Sequence, residues 1–168
     1  MEKKRQLKWW QIALLAVAVS FLGKLSTGQK NNGETKIYEK ELQQAPWAPP
    51  GWLFGPAWTL NNFFLLIGLQ ILLQRRDLPA YKKLLVLQAF IWIIFFSFGY
   101  VYFNKKSPIL AAIWTIMDTA LAATSFVISR RQNRKLAYTY LPLLIWTAFA
   151  SSIAVYQAVQ NPDPIVKL

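Results

Sequence analysis

Residues 47–62 read WAPPGWLFGPAWTLNN and open onto the apolar run FFLLIGLQILLQ at 63–74. Three Trp, three Pro and two Gly crowd the entrance of a long apolar helix. Proline fixes φ and removes a backbone donor, glycine opens unusual backbone, and tryptophan presents a flat amphipathic face suited to membrane interfaces or planar ligands. The stretch predicts a shaped, aromatic mouth at one end of a membrane helix.

The rest of the chain agrees. Its 168 residues are 55% hydrophobic and 15% aromatic, with a formal charge of +12, a pairing natural for a membrane protein with basic loops. Five apolar segments, at 6–25, 50–73, 84–104, 108–128 and 136–159, are bounded by charge or by Pro and Gly, and each approaches the roughly 20 residues that cross a bilayer core. The expectation is an all-α integral membrane protein, a five-transmembrane-helix bundle forming a single domain over 1–168, with one long outer loop at 26–49. Lys3, Lys4 and Arg5 followed by IALLAVAVSFLG also resemble a signal peptide, but no clear A-x-A cleavage site follows. Cysteine and histidine are both absent, which excludes disulfides, thiolate and imidazole metal sites, and Ser/His or Cys/His catalysis.

The basic residues alternate between loops. Lys3, Lys4, Arg5 and Lys8, then Arg75, Arg76, Lys82 and Lys83, then Arg130, Arg131, Arg134 and Lys135 fall on one side. The other side holds Lys24, Lys30, Lys36, Lys40, Lys105, Lys106 and Lys167, offset by Glu34, Glu39, Glu41 and Asp163. The positive-inside rule then places the N-terminus inside, and the C-terminus and the 47–62 mouth outside. A nucleic-acid partner would need one basic face interleaved with exposed aromatics, so none is expected.

Within the first loop, STGQKNNGETK is too polar to enter the bilayer, while IYEKELQQAPW permits a short amphipathic helix that carries Tyr38 back toward the membrane. The other connections are short, which predicts that sequential helices pack as antiparallel neighbours. Polar and aromatic residues line up on four spans. Trp58 precedes Asn61 and Asn62; Gln88, Trp92, Phe95 and Gly99 follow one face; Trp114 lies one turn before Asp118, beside a small-residue row of Ala111, Thr115 and Thr119; Pro142, Trp146, Phe149, Ala150 and Ile153 share a side. Such stripes serve either bundle contacts or a ligand site. Asp118, near mid-span with no basic residue in the interior of a span available as partner, should face the interior or water. Trp9 and Trp10 suit interfacial anchoring. Trp58, Trp92, Trp114 and Trp146 lie deeper, where four indoles either fill a core or enclose a flat apolar ligand.

These residues resemble the TspO/MBR family, the tryptophan-rich sensory proteins and translocator proteins also called peripheral-type benzodiazepine receptors. WAPPGWLFGPAW is similar to the family's W-x-P-P-G-x-x-F-G-x-x-W pattern, and LQAFIWIIFF at 87–96, Asp118, and LPLLIWTAFA at 141–150 extend the match. The resemblance implies a dimeric five-helix bundle whose pocket binds tetrapyrroles such as protoporphyrin IX and haem. Synthetic isoquinolines and benzodiazepines, and sterols in eukaryotic members, are further family ligands. It implies pocket residues Tyr38, Trp47, Pro49, Trp58, Trp146 and Ala150, joined by Gln88, Trp92 and Asp118 from the stripes. Gln88 and Ala154 stand where many members have Asn. VYQAVQNPDP, at the end of the fifth segment, lacks the family's sterol pattern.

The missing His and Cys leave haem iron no usual axial ligand. A tetrapyrrole should therefore be held by its ring, stacked on Trp58 and Trp146 with polar help from Gln88. No cofactor is required and no metal site is expected. The leading expectation is a receptor or carrier in porphyrin sensing, transport or regulation, in a prokaryotic membrane. The alternatives are a light- and oxygen-dependent porphyrin-degrading enzyme, for which no acid, base or nucleophile constellation stands out, and a small proton-coupled exporter using Asp118.

Overall fold

The computed structural model describes residues 6–25 and 41–166. Among them every regular element is helical: α1 (Trp9–Leu25), α2 (Phe54–Gln74), α3 (Tyr81–Gly99), α4 (Pro108–Arg130) and α5 (Arg134–Gln160). A 3-10 turn, Gly51–Leu53, leads into α2, and a wider turn, Tyr100–Asn104, prolongs α3. Local chemistry explains the starts. Ser107 accepts from Leu110 N at 3.2 Å with Pro108 in the first turn of α4, and Asn133 accepts from Leu136 N at 3.1 Å ahead of α5. Before α2, Pro50 is extended at φ −61°, ψ 146°, so Gly51 begins the helical turn from a rigid lead.

Four helices, Gly51–Gln74, Tyr81–Asn104, Pro108–Arg130 and Arg134–Gln160, are long and apolar enough to cross a membrane. The apolar α1, with 17 residues, is the shorter fifth member of the bundle. Trp9 and Trp10 are exposed at its start, as interfacial anchors should be. Pro142 lies inside α5 without ending it.

Spatial order departs from chain order. The bundle runs α1, α2, α5, α4, α3, with α3 returning to touch α1. Helices α2 and α3, joined by residues 75–80, remain neighbours but meet through side chains, Gln88 on Leu65 O and Phe95 on Trp58, while the α2 backbone approaches α5 more closely. The reason lies at Gly68, where the bare backbone of α2 closes on Thr139 of α5. On α4, Ala111, Thr115, Asp118, Ala122, Ser125 and Ser129 are buried at alternating spacings of four and three, a heptad pattern, and Thr119 of the fourth-residue row read from the sequence reaches Ser151 of α5 at 3.1 Å.

The main core joins Leu65 and Leu72 of α2, Leu84 and Ile91 of α3, and Leu136, Tyr140 and Leu143 of α5. Polar groups reinforce it. Gln88 Nε2 donates to Leu65 O at 2.7 Å, Tyr140 OH donates to Gln88 Oε1 at 3.1 Å, and Asn62 Nδ2 donates to Ser20 Oγ at 2.9 Å. At one end Leu7 N donates to Gln70 Oε1, and at the other Asn161 meets Gln43, so the two chain ends occupy opposite ends of the bundle. From Leu42 onward the loop is irregular, which corrects the later part of the short helix expected there; its earlier part and Tyr38 lie outside the described residues.

Candidate functional site

An aromatic row crosses three helices near the entrance of α2. On α3, Trp92 stacks on Phe96 and meets Phe95 edge-on; Phe95 in turn touches Trp58 of α2, with centroids 5.4 Å apart. One helical turn before Trp58, Phe54 presents its edge to Trp146 of α5 at 5.5 Å, and Trp146 continues to Phe149. The i, i+4 spacing of Phe54 and Trp58 puts both on one face of α2, which is why the row passes from α3 to α5. Gly23 lets α1 close on the same row, since a side chain there would overlap Phe95.

Trp146 is half-buried, yet its Nε1 is inaccessible and has no hydrogen-bond partner. Ala150, one turn on, is half-buried on the same side of α5. Trp47 reaches this helix from the loop, donating Nε1 to Ser152 Oγ at 3.1 Å and meeting Tyr156 edge-on at 5.5 Å. Pro49, half-buried, stands two residues later and stiffens the approach to α2. The structure thus gathers Trp47, Pro49, Trp58, Trp92, Trp146 and Ala150 around one end of α2 and α5. Phe54 and Phe95 supply the links. Phe54 is not among the residues expected from sequence, although it lies inside the opening motif one turn from Trp58.

One expected member, and one of the four deeper indoles, have other partners. Gln88 is fully buried with both amide functions engaged by Leu65 O and Tyr140 OH, so the polar help expected of it is used inside the bundle. Trp114 donates Nε1 to Ser97 Oγ at 2.9 Å and ties α4 to α3. Asp118 is buried on α4 with Oδ1 lacking a partner. Its neighbour Thr119 meets Ser151 of α5 at 3.1 Å, which sets Asp118 at about the depth of the Trp146–Ala150 turn.

A polar clasp ties the loop before α2 to the end of α5. Asn161 mimics a backbone partner for Gln43, accepting from its N–H at 2.7 Å and donating to its carbonyl at 3.1 Å. Below it, Tyr102 OH donates to Gln157 Oε1, and Gln157 Nε2 donates to Gln44 Oε1 at 2.6 Å. Lys106 and Glu41 form an exposed ion pair at 3.0 Å. Asp163 fastens the C-terminal segment over α4, accepting from Ser107 Oγ and Ile109 N through Oδ2 and from Ile165 N and Val166 N through Oδ1. Burial alone would raise its carboxyl, but these hydrogen bonds outweigh burial and hold it below the ordinary carboxylate value. Two clefts, of about 210 Å³ beside Glu41, Tyr102 and Lys106 and about 280 Å³ beside Lys83 and Arg131, lie at opposite ends, and no tryptophan lines either. Among the described residues no acidic cluster able to hold a metal ion occurs.

Similarity to known proteins extends over the same residues. The sequence profile of the TspO/MBR family matches residues 12–159. A protein of Archaeoglobus fulgidus named tryptophan-rich protein TspO is 29% identical over 151 residues, covering 85% of this chain and 91% of its own. One of the same name from Chlorobaculum tepidum is 25% identical over 142 residues, covering 82% and 85%. An uncharacterized membrane protein of Bacillus subtilis, YtaB, is 20% identical over 113 residues, covering 67% and 73%.

Proposed function

Because this chain belongs to the TspO/MBR family and carries its membrane helices, we propose that it is a receptor or carrier that binds tetrapyrroles at the Trp58–Trp146 site. The observation that carries the reading is the Trp146 indole. Its N–H is shut away from water without an acceptor, beside Phe54 and one turn from the small Ala150. An unmatched buried donor costs about 1–3 kcal/mol, and a ligand acceptor placed between α2 and α5 would relieve that cost. The rings are packed on one another, so a planar ligand enters by parting Phe54 from Trp146 and stacking in its place.

Recognition is by ring face, since no His or Cys exists to hold iron. Protoporphyrin IX and haem therefore bind with comparable affinity. Titrating each against tryptophan fluorescence tests this: Trp146→Phe and Trp58→Phe weaken both ligands together. A large preference for haem, or full binding by both variants, would overturn it. The proposal includes a homodimer, checked by the mass of the detergent-free protein in lipid discs.

One observation favours a second reading, proton-coupled export. Asp118 is the single acidic residue within a described span, and one of its oxygens has no protein partner. Export into sealed vesicles that follows a pH gradient, and stops in Asp118→Asn, would select this reading over a receptor.

A further inference from the structure

At the end of the bundle opposite the mouth, the 75–80 connection and the turn between α4 and α5 frame a cleft of about 280 Å³. Ala80 and Gln132 hold its two sides together, Ala80 N donating to Gln132 Oε1 at 3.2 Å. Lys83 and Arg131 line it, both exposed, and neither joins an ion pair among the described residues. Among the described residues no acid neutralises them. Asp77, the acidic side chain described at this end, is already bound by Arg75 at 3.0 Å.

Charge at this end has a general explanation in membrane orientation, which asks only for basic loops. It does not ask that two cations flank one concave site with an amide between them. Nor does it explain the apolar wall, where Ile128 lines the cleft and Val127, half exposed, leads from it along α4 toward the surrounding bilayer. A cationic rim at helix ends, continuous with an apolar helix surface, matches a molecule that has an anionic head and hydrocarbon tails.

We propose that this cleft binds the phosphodiester head group of an anionic membrane lipid, with Lys83 and Arg131 on the phosphate, the Gln132 amide beside it, and the acyl chains along Val127. Arg131 supplies a forked donor for phosphate oxygens, and Lys83 a point charge. The start of α3 adds a positive dipole end, with no acidic residue in its first turn. A free phosphate has the same head chemistry but would make no use of the apolar wall.

Native mass spectrometry of the full chain, released from membranes of mixed phosphatidylglycerol and phosphatidylcholine, tests the site. Retention of phosphatidylglycerol in preference to phosphatidylcholine is the expected result. Lys83→Gln with Arg131→Gln should weaken it about twenty-five-fold, each basic side chain near an anionic surface being worth roughly fivefold. Arg76→Gln with Arg134→Gln removes the same charge from the same end without touching the cleft, and should weaken retention much less. Equal losses in the two double variants, or no preference between the lipids, would overturn the proposal. Displacement of phosphatidylglycerol by millimolar inorganic phosphate would overturn the lipid as occupant and assign the site to a free anion.

Discussion

Gly68 of α2 lies directly against Thr139 of α5, so that a single carbon added at Gly68 would overlap the Thr139 hydroxyl. That hydroxyl is not free to swing away, because it donates to Leu136 O at 2.7 Å. This contact lets the backbone of α2 approach α5 more closely than it approaches its chain neighbour α3. Gly68→Ala should therefore destabilise the bundle by about 1–3 kcal/mol, the usual cost of overpacking. Unfolding in a mixed-detergent titration would measure it. Thr139→Ala in the same chain should recover part of the loss, and an absence of coupling between the two would count against the contact.

Gln88 bridges three helices through Leu65 O and Tyr140 OH. Gln88→Leu leaves the buried Tyr140 hydroxyl without its acceptor and is expected to cost about 1–3 kcal/mol. Tyr140→Phe should cost less, and a double-mutant cycle should give a coupling of roughly 0.6 kcal/mol, typical of interhelical hydrogen bonds in membranes. Porphyrin affinity should stay within about twofold, a bound on the order of 0.4 kcal/mol. A selective loss of binding would return Gln88 to the ligand site.

Asp163 makes the clasp at the mouth sensitive to acid. Its folded carboxyl lies below the ordinary value, so its contribution is present above the unfolded pKa and is lost as pH falls through the folded one. Amide exchange at Ile109, Ile165 and Val166, corrected for intrinsic rates, should therefore rise on acidification below the normal carboxylate range. Asp163→Asn should exchange quickly at neutral pH and show little further change with acid.

The absence of cysteine makes the orientation directly measurable. Single cysteines at Gln43, on the mouth loop, and at Arg76, in the connection between α2 and α3, should react from opposite sides of intact cells. The positive-inside rule expects the Gln43 position to react from outside. Labelling of the Arg76 position from outside instead would invert the bundle and put the mouth within.

Element identity was legible along the chain, because a membrane span is written in its own length and apolarity. The segments read at 84–104 and 136–159 correspond to Tyr81–Asn104 and Arg134–Gln160, differing at ends where charge and caps set the last turn. The motif at 47–62 also supplied Phe54 and Trp58 of the aromatic row. What could not be read was which stripe faces which. Trp58, Trp92, Trp114 and Trp146 look equivalent in sequence, yet three join a ring contact and Trp114 bonds Ser97. Periodicity assigns a side chain to a face of its own helix but says nothing about the helix opposite.

The amino-acid sequence by itself determined the medium, the number of helices, the family pattern and the absence of histidine and cysteine. Those properties are local, each depending on residues close together in the chain. Tertiary structure alone decided the order α1, α2, α5, α4, α3, the engagement of Gln88 by Leu65 and Tyr140, and the orphaned Trp146 N–H. Helices in a bilayer gain nothing from sequence adjacency. They settle where close backbone contact and buried hydrogen bonds are best, and here that place is the meeting of Gly68 with Thr139.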